Sequence, residues 1–270
     1  MTKNLVSIAG YDPSGGAGVL LDIGVFEQLG QRGFGVLTAV TAQNPGRVAR
    51  VFPMAARAVT GQFGRLAEAV DIAGIKVGML ATVENLSAAA KILARNTRIP
   101  RVVDPIFLSS SGALLLEKAA WPRYLAVLRG MADLVTPNLD EAEILTKGQV
   151  RTVSEMRIAA ALVTRTGRMP CLLKGGHLEG RAVDILYDGR KFTVFEHERR
   201  AKSVHGTGCF LSSAILGYMA EGRPLEEACG LGIARVGRAI RAAVPAGSGR
   251  WVFDLSRDRG RVPSKARKRR

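Results

Sequence analysis

The sequence predicts an α/β fold of three layers, α/β/α, with a mostly parallel central sheet and helices on both faces. Short apolar, β-branched runs alternate with longer helical stretches through most of the chain, the pattern of a sheet covered on both sides. Glycines and polar residues gather where strands end and helices begin, the place where open α/β sheets bind ligands. The 270 residues, 47% hydrophobic and 23% charged, suit a large α/β domain. No mid-chain linker, repeat or low-complexity segment interrupts this pattern, so we expect a domain over 1–255 and a basic tail over 256–270.

Leu5–Ala9 is the first strand, stopping at Gly10. Gly10–Gly18 is a glycine-rich loop that turns into a helix over Val19–Leu29. It has no Gly-Lys-Ser/Thr ending and completes no dinucleotide fingerprint. Asp22 falls one turn into that helix, close to the expected mouth. Phe34–Val40 is the second strand, and Thr41–Gly46 puts polar side chains, Gln43 among them, at its exit. A helix over Ala58–Val70 leads to a strand over Ile72–Met79.

Thr82 suits the N-cap of a helix ending near Arg95. Strand Arg101–Val103 runs into Asp104-Pro105, which sets a carboxylate where a buried strand emerges. Ser109–Gly112 reads as a flexible polar loop, and Ala113–Leu128 as helical with a break at Pro122. After strand Asp133–Val135, Asn138 and Glu141 have capping-box spacing, as do Thr152 and Glu155 before a helix to about Thr166. Strand Cys171–Lys174 delivers Lys174 beside Gly175-Gly176-His177. Ile185–Tyr187 and Phe192–Phe195 form a hairpin about Asp188-Gly189. Pro224 opens a last helix through Ala239.

The chain turns on Ser203–Phe210. Gly206 and Gly208 carry no Cβ, so the backbone can bend and approach a ligand closely. The helix expected over Leu211–Met219 leaves its first amides without intrahelical partners, and its dipole favours negative charge there. Amides aimed at one point make an anion site. Cys209 stands at that helix start, where a thiol is expected to be acidified and able to act as a base.

Composition narrows the function classes. Cys171, Cys209 and Cys229 lie far apart, with no metal-type spacing and no disulfide framework, as in a reducing compartment. No segment reads as a secretory signal or a membrane span, so a cytoplasmic protein without membrane contact is expected. The net charge of +16 raises nucleic-acid binding. Much of the excess sits in the tail, where Arg257, Arg259, Arg261, Lys265, Arg267, Lys268, Arg269 and Arg270 face only Asp258. That tail reads as a solvated, disordered extension. The aromatic content of 6% offers no stacking platform for bases, which disfavours nucleic-acid contact, through the tail or otherwise.

In a doubly wound sheet the strand exits share one crevice. Asp104, Glu141, Lys174 and the Gly206–Cys209 turn would surround a polyphosphate there, with Asp22, Gln43 and Met79 opposite, suited to a small ring. The ordered words Gly-Tyr-Asp-Pro-Ser-Gly-Gly-Ala-Gly (10–18), Thr-Ala-Gln-Asn (41–44), Ile-Lys-Val-Gly-Met-Leu (75–80), Val-Val-Asp-Pro (102–105), Thr-Pro-Asn-Leu (136–139), Leu-Lys-Gly-Gly-His (173–177) and His-Gly-Thr-Gly-Cys (205–209) span nearly the whole domain. By them the sequence resembles the hydroxymethylpyrimidine/phosphomethylpyrimidine kinases, of the ribokinase-like superfamily.

The resemblance implies ATP-dependent phosphorylation of hydroxymethylpyrimidine and its monophosphate to the diphosphate in thiamine biosynthesis. It makes Cys209 the base and the amides of Gly206, Thr207, Gly208 and Cys209 the anion hole. Lys174, Asn138 and Thr207 fall on the ATP side, and Asp104 and Glu141 on magnesium, held directly or through water. Gly10, Asp22, Gln43, Met79 and Ile106 surround the pyrimidine. A monovalent cation and a homodimer are compatible with this family pattern. Leu20, Phe210 and the Ala246–Trp251 segment depart from it. A pyridoxal/pyridoxine-type kinase on the same scaffold is the alternative. A non-enzymatic pyrimidine-sensing or nucleic-acid-associated protein is the other.

Overall fold

A computed structural model describes residues 2–176, 182–197, 203–247 and 249–256. His177 and the expected basic tail from Arg257 onward lie outside the described residues. The strands β1 (Asn4–Tyr11), β2 (Arg32–Asn44), β3 (Arg47–Pro53), β4 (Ile72–Val77), β5 (Arg101–Val103), β6 (Leu134–Val135), β7 (Cys171–Gly175), β8 (Ala182–Tyr187) and β9 (Phe192–His197) form one sheet. Its order is β3-β2-β1-β4-β5-β6-β7-β8-β9. The run from β2 through β7 is parallel, and β3, β8 and β9 add antiparallel edges. The chain steps from β1 outward to β2, then returns to the other side of β1 for β4. This reversal opens a crevice beyond the strands' carboxyl ends.

Helices α1 (Gly18–Gln28), α7 (Thr207–Ala220) and α8 (Leu225–Ala242) cover one face; α2 (Ala56–Ala69), α3 (Val83–Arg95), α4 (Tyr124–Val127), α5 (Leu139–Thr146) and α6 (Val153–Gly167) cover the other. Strand residues sort between the layers by their alternation. Val6, Val103 and Leu173 pack under α2–α6, whereas Leu5, Val102 and Leu172 pack under α1, α7 and α8. Burial on both faces explains why these strands read as continuous apolar runs. Thr82 caps α3, and reciprocal capping boxes open α5 and α6 as their spacing predicts. Among the described residues no helix is long and apolar enough to cross a membrane.

Four expectations need correction. Thr41–Gly46 is not a loop at a strand exit: β2 continues to Asn44 and turns into β3, with Thr41 paired to Val51. Ala113–Leu128 is mostly not α-helical. Leu114 and Leu116 make isolated bridges to Leu108 and Ala81, and Lys118–Arg123 is a 3₁₀ turn before the short α4. Pro122, without an N–H donor, fits that tighter segment better than an α-helix interior. Helix α7 starts at Thr207 rather than Leu211, so the anion turn is itself the helix's first turn. A final hairpin, β10 (Val244–Pro245) with β11 (Trp251–Val252), lies where no regular structure was expected.

Candidate active site

Gly206 is the N-cap of α7, with φ of 83°. An added Cβ would stand 2.0 Å from the Gly16 carbonyl oxygen. Only glycine combines that left-handed backbone with so close an approach. The cap offers no side-chain acceptor, and the first intrahelical bond runs from Phe210 N to Gly206 O at 2.9 Å. The amides of Thr207, Gly208 and Cys209 therefore open the helix without intrahelical acceptors, at its positive end. At Gly208 an added Cβ would lie 3.1 Å from Lys174 Nζ and 3.4 Å from Asp104 Oδ2. The missing side chain lets the helix start reach the charged cluster beside it.

Asp104 emerges from β5, its amide donating to the Val77 carbonyl at 2.8 Å. Its Oδ1 accepts from Lys174 Nζ at 3.0 Å and from Thr136 Oγ at 2.9 Å. Lys174 also lies 3.9 Å from Glu141 Oε2. Glu141 Oε2 accepts from the Asn138 amide at 2.7 Å, and Asn138 Oδ1 from the Glu141 amide at 2.8 Å. Burial alone would raise the Asp104 carboxyl, but Lys174 and Lys76 hold it below the usual range. Burial pushes the Glu141 carboxyl up to about 8; Lys174 opposes the rise and Asp104 adds to it.

Two buried carboxyl groups thus share one ammonium. Among the described residues no third His, Cys, Asp or Glu joins them to complete a metal cage. That donor set fits magnesium, which takes few carboxylates and fills its octahedron with phosphate oxygens and water.

These groups line a cavity of about 570 Å³ over the carboxyl ends of β1, β4, β5 and β7. Gly10, Gln43, Met79, Ile106, Asp104, Asn138, Glu141, Lys174 and Gly206–Cys209 all contribute to its wall. The sequence-predicted residues therefore converge, with one exception. Asp22 is 0% exposed and does not line the cavity. It accepts from Lys76 Nζ at 2.8 and 3.0 Å, from Ser7 Oγ at 2.5 Å and from Ser213 Oγ at 2.8 Å. A carboxylate so occupied keeps no free lone pair directed outward. Its place one turn into α1 is as expected, but the helix turns that face to the core.

Cys209 also corrects an expectation. Burial pushes its thiol up to about 11, although Lys76 and the Gly18 amide pull the other way. Desolvation outweighs the helix terminus here, so the turn by itself does not acidify the thiol.

Lys76, Asp12, His205 and Arg250 were not singled out from sequence. Lys76 carried a signal: it is a charge inside the apolar run Ile75–Val77, as Asp22 is between Leu21 and Ile23. His205 Nε2 lies 3.0 Å from Asp12 Oδ2, a pairing across the chain that spacing does not reveal. Arg250 reaches the cavity wall only because β10 and β11 pair. The departures at Phe210 and Leu20 leave the cavity alone. Phe210 is buried against Phe253, ring centroids 4.6 Å apart, and Leu20 is 40% exposed on the outer side of α1.

A glycine-capped helix start with free first-turn amides, a lysine and paired carboxyl groups stand at the switch point of a mostly parallel sheet, the arrangement of a ribokinase-like phosphotransferase. The chain belongs to the phosphomethylpyrimidine kinase family, whose pattern matches residues 12–254. It is 36% identical over 252 residues to the hydroxymethylpyrimidine/phosphomethylpyrimidine kinase of Aquifex aeolicus, covering 93% of this chain and 99% of that one. It is 39% identical over 248 residues to the thiamine biosynthesis bifunctional protein ThiED of Geobacter sulfurreducens, covering 91% of this chain but about half, 51%, of that longer protein. Among solved structures it resembles the pyridoxal kinase of Staphylococcus aureus in complex with ADP, with a TM-score of 0.88 and 28% identity over 97% of this chain and 96% of that one.

Proposed function

We propose that this chain transfers the γ-phosphoryl group of ATP to the hydroxymethyl group of hydroxymethylpyrimidine, and a second phosphoryl group to the resulting monophosphate. The product is the pyrimidine diphosphate used in thiamine biosynthesis. In the first transfer the substrate hydroxyl gives its proton to the Cys209 sulfur, in its thiolate form, as the oxygen bonds to the γ-phosphorus. The bond from that phosphorus to the β–γ bridging oxygen breaks, and ADP leaves with the electron pair. The amides of Gly206, Thr207, Gly208 and Cys209 hold the transferring group, and Lys174 neutralises it. Such transfer depends on positioning and charge more than on covalent participation. Asp104 and Glu141 would hold magnesium, which supplies charge neutralisation across the phosphates.

The observation that carries the pyrimidine reading is the position of Gln43. It lines the cavity beside Gly10, Met79 and Ile106, and its side-chain amide can accept from an exocyclic amine and donate to a ring nitrogen. Pyridoxal carries no such amine. Likeness to a pyridoxal kinase structure keeps that vitamin as the second reading. Purified protein with ATP and magnesium should phosphorylate hydroxymethylpyrimidine and its monophosphate with a higher kcat/KM than pyridoxal. Phosphorylation of pyridoxal alone would refute the substrate assignment while leaving the chemistry intact.

A further inference from the structure

The Asp22–Lys76 pair is unused by the chemistry described so far. Both side chains are 0% exposed, and neither lines the cavity. A buried ion pair is weak as a packing device, because desolvation of both charges opposes their attraction. Here the carboxylate is fully engaged. Asp22 takes two contacts from Lys76 and one from each of Ser7 and Ser213.

Ser213 shows what the pair lies beneath. It is one helical turn along α7 from Cys209, so both side chains project from one face of the helix. That face meets α1 and β4, which carry Asp22 and Lys76. The fields of Lys76 and Cys209 act on each other in both directions. The other groups facing the sulfur are Asp22 and the Gly18 amide from α1, Asp104 from the end of β5, and Lys174 from β7. Lys174 is committed to Asp104 and Glu141; among the described residues Lys76 is the other cation whose field reaches the thiol, from beneath that face of α7 and outside the cavity wall.

We propose that Lys76, clamped by Asp22 under the first turn of α7, is a positioning residue that supplies the counter-charge for the Cys209 thiolate. This deepens the reading of Cys209 as the base and rests on it. Asp22 fixes where the ammonium sits and, being negative, also limits how far it favours the thiolate.

The test is the pH dependence of Cys209 alkylation by iodoacetamide, followed peptide by peptide in the intact chain without ATP or any alcohol. A wrong substrate assignment leaves this measurement untouched, and a dispensable base is detected separately by the turnover of Cys209→Ala. Lys76→Met should slow alkylation at pH 9 about tenfold, and Asp22→Asn should speed it about threefold. A pair that only supports packing would, on either substitution, loosen the site and expose the sulfur. Shifts of the same sign, or none, overturn the proposal. Where Lys76→Met fails to fold, the double variant Asp22→Asn/Lys76→Met is read against Asp22→Asn. The same slowing is expected, and its absence is equally decisive.

Discussion

His205 Nε2 stands 3.0 Å from Asp12 Oδ2, joining residues 193 apart in sequence. The contact binds the loop before α1 to the residue preceding the anion turn. Gly16 completes the join, since a Cβ there would meet His205 Cδ2 at 2.6 Å. The glycine-rich loop at 10–18 thereby acts as a brace for the Gly206 cap.

The brace has a pH signature. Burial would raise the Asp12 carboxyl, but hydrogen bonds from His205, Ser14 and Gln43 hold it at about 2. A carboxylate with a depressed folded-state pKa contributes stability that is present above its unfolded value and lost as pH falls through the folded one. That contribution should fade between about pH 4 and pH 2. Asp12→Asn should cost about 1–2 kcal/mol at pH 7 and progressively less as the pH falls toward 2. Urea melts of both proteins across that range check it, and a pH-independent difference would remove the linkage.

Glu141 should show the opposite sign. Its folded carboxyl is raised to about 8, above the unfolded value of about 4.5. Its favourable contribution is complete below pH 4.5 and is lost as pH rises through 8. The ligand-free protein should therefore lose thermal stability from pH 5 to pH 8, and Glu141→Gln should flatten that slope. Magnesium with ADP should restore the wild type at pH 8 more than it restores Glu141→Gln, because the cation replaces the missing proton. Equal restoration would take Glu141 out of the metal site.

The sequence carried this architecture unevenly, for physical reasons. Strands buried on both faces, such as Val102-Val103 and Leu172-Leu173, announce themselves as apolar runs. Caps at Thr82, Asn138 and Thr152 are local chemistry and were fully legible. The edge strand β3 was not, because Arg47, Arg50 and Pro53 blur its alternation. The segment over 113–128 misled because its leucines and alanines favour a helix while tertiary bridges hold Leu114 and Leu116 extended. Within the site, residue types and strand exits placed Asp104, Glu141, Lys174 and Cys209 together. What sequence could not supply was the dielectric. Burial decides that Asp22 serves Lys76 rather than a ligand, and that the thiol of Cys209 is raised instead of acidified.

Two glycines of the anion turn should fail in different ways. Gly206→Ala places a Cβ 2.0 Å from a backbone oxygen at a φ of 83°, and backbone cannot swing aside as a side chain can. It should cost about 2 kcal/mol or more of stability through the strained φ and the clash. Gly208→Ala meets only Lys174 Nζ and the Asp104 carboxylate, at 3.1 and 3.4 Å, and both can shift by tenths of an ångström. Its melting temperature should stay near wild type while kcat falls about 10²-fold, because the lysine is pushed off the phosphoryl path. Equal loss of stability in both variants would contradict this division.

Cys209→Ala distinguishes the two transfers. The first nucleophile is an alcohol, which must lose its proton as the new O–P bond forms. The second is a phosphate monoester, whose second ionisation near pH 6 leaves it a dianion at pH 8. A base has a task in the first reaction and none in the second. The substitution should lower kcat on hydroxymethylpyrimidine by about 10²–10⁴-fold, and on its monophosphate by about tenfold or less, since positioning in the Gly206–Gly208 turn survives. Cys209→Ala removes a single sulfur from a packed helix start, so near-wild-type thermal unfolding should accompany the loss. Equal reductions on both substrates would assign Cys209 to shaping the pocket, and no reduction on either would strip it of a role in proton transfer.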